Sequence, residues 1–179
     1  MRRPSPGPIV GVAVAFMVIA GLSLSGWGLA FNSSESMPTG LYLLSPVSQI
    51  VRNQLVAGCI PKSDLTDEYA ARGYLPKSTD CPSGLARILK PVAAIGGDQV
   101  RIGEDGVRVN GRLISGSQVL DVDSAGRPLP HLRVGWERQI PKGSCFLLSN
   151  HSRRSLDSRY FGTVENGDLV YRARALLTL

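Results

Sequence analysis

ARILKPVAAIGGDQVRI, residues 86–102, decides how this chain folds. Its first half is aliphatic, its second half alternates, and Gly96, Gly97 and Asp98 lie between them. The segment therefore reads as a strand that enters a tight turn and leaves as a second strand. In the first strand the two-residue period sets Ile88, Lys90 and Val92 on one face, so an ammonium group emerges between two aliphatic side chains. Such a lysine either snorkels out from an edge strand or sits in an apolar niche that disfavours its charge.

Working outward, the punctuation stays that of an antiparallel β domain. EDG (104–106) and NG (110–111) break GEDGVRVNGRLI into the strongest hairpin signal in the chain. LYLLSPV (41–47) reads as a strand, with Pro46 at its end or on an edge. SCFLLS (144–149) reads as a short core strand and DLVYRARALLTL (168–179) as a final one. SGSQVLDVDSAGRPLPH (115–131) and SNHSRRSLDSRYFG (149–162) read as loops. Only DLTDEYAARGY (64–74) has helical character, with Asp64 as the expected cap and Gly73 as the stop. The expected fold class is mainly β.

The first 30 of the 179 residues are unlike the rest. Residues 9–30 contain no charge and as a helix would rise roughly 33 Å, close to the ~30 Å hydrocarbon core of a bilayer. Arg2 and Arg3 precede this run, Glu35 is the next charge after it, and no basic residue appears until Arg52. The positive-inside bias then keeps residues 1–8 in the cytoplasm and exports residues 31–179 as one domain, with Trp27 as an interfacial anchor. The competing reading is a cleaved signal peptide, with Gly28 and Ala30 at the cleavage site, although the apolar run exceeds the usual length of such a segment. The net charge of +6 is scattered, without aromatic-basic or zinc-ligand motifs, and points away from nucleic acid. Anionic lipid is an equally good match for it.

Cysteine usage agrees with export. A disulfide between Cys59 and Cys81 would close a Pro-, Gly- and Ser-rich loop and contribute roughly 3 kcal/mol. Three free thiols in a reducing compartment are the alternative. Cys145, inside an apolar run, reads as a small buried side chain.

ESMPTGLY (35–42) follows the apolar run directly. Its proline and glycine forbid a continuing helix and present Ser36 on a turn. A serine nucleophile needs a base. Of the two histidines, His151 lies near Asp157 in sequence, so a Ser/His/Asp arrangement is one option. A neutral lysine is the other, and Lys90 is the lysine with apolar neighbours, whereas Lys62, Lys77 and Lys142 sit among Pro, Gly and Ser.

ESMPTGLY, LKPVAAIGGDQV and SLDSRYFGTV, in that order after one N-terminal apolar run, resemble the signature boxes of the type I signal peptidases, which are membrane-bound Ser/Lys enzymes. The GLY after the serine box, the Cys59/RGYL/Cys81 segment, GRPLP and DSRYFG resemble the TraF-type conjugative-transfer peptidases in particular. The resemblance implies an antiparallel β-sheet, barrel-like catalytic domain with a substrate groove. A small cap from residues 59–81 and 115–135 would stand in for the larger second domain of some relatives. It also implies Ser36 as nucleophile, Lys90 as general base, and the Ser36 backbone N–H with the Ser34 hydroxyl as oxyanion donors. Ser155 would orient the lysine amine, Asp157 and Arg159 would form a structural ion pair, with a more direct role open for Asp157, and Gly162 would be a close-approach position. Residues 150–154 depart from the GDNR-like start of the housekeeping enzymes, which leaves substrate range open.

From Ala30 to Ser36 the chain can extend at most about 20 Å, so the nucleophile would work near the membrane surface on a membrane-tethered substrate. The expected activity is therefore a periplasm-facing endopeptidase of the bacterial inner membrane, without metal or organic cofactor. Its expected substrate is a leader or tail of an exported protein such as a conjugative pilin precursor. The acyl-enzyme would be resolved by water or by the substrate's own amine to give a cyclic product. A non-catalytic anchored subunit of an export apparatus is the alternative.

Overall fold

The structure is a computed structural model that describes residues 26–179. Eleven strands form two antiparallel sheets among these residues. The larger contains β1 (Gly28–Asn32), β2 (Gly40–Pro46), β3 (Leu55–Gly58), β4 (Ile88–Ile95), β9 (Ser144–Leu147), β10 (Val164–Glu165) and β11 (Leu169–Thr178), in the order β1-β2-β11-β3-β4-β9-β10. The smaller contains β5 (Gln99–Gly103), β6 (Gly106–Val109), β7 (Arg112–Leu113) and β8 (Glu137–Gln139), in the order β7-β6-β5-β8. Among the described residues, two short α-helices, α1 (Asp64–Ala71) and α2 (Ser158–Phe161), and a 3-10 turn at Asn166–Asp168 complete the fold.

The mainly β expectation holds, as do the strands read at 41–47, 86–102, 144–149 and 168–179. The NG turn between β6 and β7 is the expected hairpin, with φ of +50° at Asn110 and +81° at Gly111. The second, separate sheet is new. It is separate because β5 pairs with β6 and β8 while β4 pairs with β3 and β9, and β8, three exposed polar residues without any apolar alternation, gives no pattern of its own to read. The helix in the 64–74 segment is capped one residue earlier than expected. Ser63 rather than Asp64 is its N-cap and forms a reciprocal capping box with Thr66.

Residues 28–30, assigned to the end of the apolar span, are instead strand: β1 pairs with β2 from Gly28↔Leu44 to Asn32↔Gly40. Leu29 and Phe31 alternate with Ala30 to give a two-residue period that suits a sheet edge as well as a membrane helix, and β2 supplies the hydrogen bonds. Any span must end before them. Residues 9–25 lie outside the described residues, and among the described residues no helix is long and apolar enough to cross a membrane.

β4 organises the centre. Its first half, Ile88 to Pro91, pairs with β3, and its second half, Val92 to Ile95, pairs with β9. The exchange occurs at Pro91, which has no N–H to give to a ladder and whose carbonyl accepts from Leu148 N at 3.0 Å. Among the described residues, one edge of residues 88–90 is thereby left without a strand partner. β1, at the end of the sheet order, likewise has one unpaired edge.

The two segments expected to form the cap lie against each other. Cys59 and Cys81 are disulfide-bonded. The 59–81 segment locks onto 115–135 through Tyr69 Oη to Pro130 O, Arg72 Nη1 to Pro128 O at 2.7 Å and Tyr74 Oη to Asp123 Oδ2 at 2.6 Å. Asp123 also accepts from Arg127 Nε at 2.7 Å. Tyr69 stacks edge-on against Tyr160, joining the cap to the core that holds Val92 and Leu147. Cys145 is free and buried.

Candidate active site

One cavity of about 890 Å³ runs between the two unpaired edges. Residues 29–36 line one side, residues 86–90 the other, and the cap closes it with Tyr74, Leu75, Asp123 and Leu129. Both Ser36 and Lys90 open into it.

Lys90 is placed by the pleat. Its alternation with Val92 and Ala94 turns all three side chains inward, and it faces Val56 across the β3–β4 ladder. Only 4% of Lys90 is exposed. Burial pulls its ammonium pKa down from 10.5 to about 8; the Asp157 carboxylate opposes that shift and the Arg159 guanidinium adds to it.

Ser36 sits on the turn between β1 and β2. Its hydroxyl lies 2.9 Å from that of Ser34, and its main-chain carbonyl accepts a hydrogen bond from Ser149 Oγ. Ser149 is almost fully buried. Its own N–H donates to Asp157 Oδ2 at 3.1 Å, and Asp157 in turn holds Arg159 through Nε and Nη2, each at 2.8 Å. Asp157 and Arg159 are both fully buried, and Arg159 also donates to the carbonyls of Ser155 (2.9 Å) and Gln118 (2.8 Å). Asp157 additionally caps α2. The pair therefore holds the 149–159 segment together beneath the serine turn.

The remaining predicted positions divide. Ser155 is buried, but among the described residues its hydroxyl has no hydrogen-bond partner, and it does not bond to Lys90. Gly162 is not a close-approach position: a Cβ there would meet nothing within 4 Å. Its φ of +81°, which ends α2, is what calls for glycine. Neither His151 nor His131 lines the cavity; His131 bonds Asp121 at 3.0 Å and the carbonyl of Leu132 instead.

Sequence reasoning missed Asn32 and Ser149. Asn32 lies between the apolar run and the serine box and belongs to neither, Ser149 is one polar residue among many in a loop, and both matter only through contacts formed on folding.

Residues 7–178 match the family model described as signal peptidase, peptidase S26. The chain belongs to that family. Among individual relatives it is similar to a plasmid transfer protein TraF of Escherichia coli, 30% identical over 99% of this chain and 97% of that one. A conjugal transfer protein TraF of Agrobacterium fabrum is 34% identical over 92% and 95% of the two chains. A signal peptidase I from Enterococcus faecalis has a crystal structure that covers 74% of this chain and 99% of that one, with a TM-score of 0.39 and 19% identity. As a peptidase S26 member, the chain carries the serine box, the lysine strand and the DSRYFG box within its matched region, which is nearly its whole length.

Proposed function

We propose that the protein is a membrane-anchored serine endopeptidase with a Ser36/Lys90 dyad, facing the periplasm, that removes a leader or tail from an exported protein of a conjugation system, in the first place a pilin precursor. The observation that carries this reading is that, in a peptidase S26 chain, Ser36 shares one cavity with a nearly fully buried lysine whose pKa is lowered to about 8. At pH 7 that shift raises the neutral fraction from roughly 0.03% to roughly 10%, about a 300-fold gain in available base. The names of the relatives point to conjugal transfer.

In the proposed mechanism a substrate segment extends along the unpaired edges of β1 and of residues 88–90, adding a strand between them. Neutral Lys90 takes the Ser36 hydroxyl proton as Oγ attacks the scissile carbonyl. The oxyanion is held by the Ser36 N–H and the Ser34 hydroxyl, donors worth about 3 kcal/mol each because they act on charge that appears only in the transition state. The Lys90 ammonium then protonates the departing amine and leaves an acyl-enzyme. Deprotonation of water by Lys90 releases a linear product. Attack by the substrate's own terminal amine gives a cyclic one, lighter by one water.

Incubation of the purified full-length protein in detergent with co-encoded pilin precursors, read by intact mass, tests this. Ser36→Ala and Lys90→Met should each abolish cleavage. Processing that survives either change removes the dyad, whereas a parent protein that cleaves nothing leaves the non-catalytic assembly subunit. A chelator should leave the rate unchanged.

A further inference from the structure

Asn32 is the last residue of β1, and its side-chain amide is wired into the turn that follows. Nδ2 donates to the carbonyls of Ser34 (3.0 Å), Met37 (3.0 Å) and Pro38 (3.1 Å). Oδ1 accepts from the Ser34 N–H (3.3 Å) and from the Ser34 hydroxyl (2.8 Å). Three carbonyls around one amide atom and two donors around the other fix which is nitrogen and which is oxygen.

This wiring dictates where protons point. A hydroxyl has one proton, and that of Ser34 is given to Asn32 Oδ1, an atom that can only accept. In the 2.9 Å contact between the two hydroxyls Ser34 must then accept and Ser36 must donate. The resting array runs from Ser36 Oγ–H to Ser34 Oγ–H to Asn32 Oδ1.

We propose that Asn32 is a positioning residue of the peptidase, acting through Ser34: it holds the Ser34 hydroxyl beside Ser36 and keeps its proton turned aside until the substrate carbonyl arrives. This rests on the Ser36 reading above. When the Ser36 proton passes to Lys90 and the bond from Ser36 Oγ to the substrate carbon forms, the Ser34 hydroxyl loses its donor and rotates its own proton onto the developing oxyanion. No proton leaves Ser34 or Asn32. Asn32 meanwhile shares its two Nδ2 protons among the three carbonyls and so fixes the backbone that carries the Ser34 hydroxyl.

A double-mutant cycle on the full-length protein in detergent tests this, with a synthetic precursor peptide as the probe, an apolar segment followed by small residues at the scissile bond. Asn32→Ala should lower kcat by roughly 10- to 100-fold and Ser34→Ala by roughly 100- to 1000-fold, with KM within about twofold. The double variant should match Ser34→Ala within about threefold, because the Asn32 contribution passes through the hydroxyl already removed. Losses that multiply, or an Asn32→Ala enzyme within twofold of the parent, would overturn the proposal. If Asn32→Ala fails to fold, Asn32→Ser takes its place in the same cycle with the same two outcomes. Ser36→Ala runs alongside: cleavage that persists there refutes the nucleophile itself, whereas a silent Ser36→Ala with a multiplicative cycle refutes only the role of Asn32.

Discussion

The side-chain hydroxyl of Ser149 donates a hydrogen bond to the main-chain carbonyl of Ser36, 113 positions earlier in the chain. It ties the serine turn to a segment clamped by a fully buried Asp157–Arg159 pair. Ser149→Ala should lower kcat about tenfold and leave KM unchanged. It should cost about 1 kcal/mol of stability, the usual net worth of one hydrogen bond. Steady-state cleavage and urea unfolding check both. A change in KM alone would mean that Ser149 shapes the groove and not the nucleophile.

Lys90 makes a paired prediction about pH. Cleavage should rise along a single basic limb centred near pH 8, because only the neutral amine is a base. Lys90→Arg should be inactive, since a guanidinium stays protonated.

The same burial has a stability cost. The folded protein releases the Lys90 proton at about 8 while the unfolded chain keeps it to about 10.5, so the unfolded state binds more protons in that window and stability rises with pH across it. Below pH 8 the full penalty applies, roughly 3 kcal/mol. Lys90→Met should therefore be inactive yet more stable than the parent at pH 7, measured by urea unfolding.

Asp157→Asn separates two functions of one carboxylate. It leaves Arg159 fully buried with its charge unpaired, which should destabilise the protein by about 3–5 kcal/mol. It also removes the negative charge that raises the Lys90 pKa, so in the folded fraction the basic limb should shift to lower pH. A pH–rate profile on folded enzyme reads the second effect independently of the first.

Reduction of the Cys59–Cys81 disulfide, or Cys81→Ser, should lower stability by roughly 3 kcal/mol. Because Tyr74, Leu75 and Pro76 line the cavity from within that loop, KM should also rise several-fold. Denaturation and cleavage with and without reductant measure both.

The sequence by itself determined the β class, because strand alternation and turn chemistry are patterns within a few residues; it set Lys90 between Ile88 and Val92 and offered Cys59 and Cys81 as a pair, but folding decided that the lysine is buried and the disulfide formed. It also brought Ser36, Lys90 and Asp157 forward through motifs whose order is local information. It mistook Gly28–Ala30 for the end of a helix, since three apolar residues carry no period long enough to tell a strand from a span, and only pairing with β2 decided it. Only the tertiary structure decided the separate small sheet, the meeting of the cap loops and the partners of Asn32 and Ser149. Those contacts depend on backbone carbonyls and hydroxyls, which every segment carries and which acquire meaning only once folding has set them within hydrogen-bonding distance.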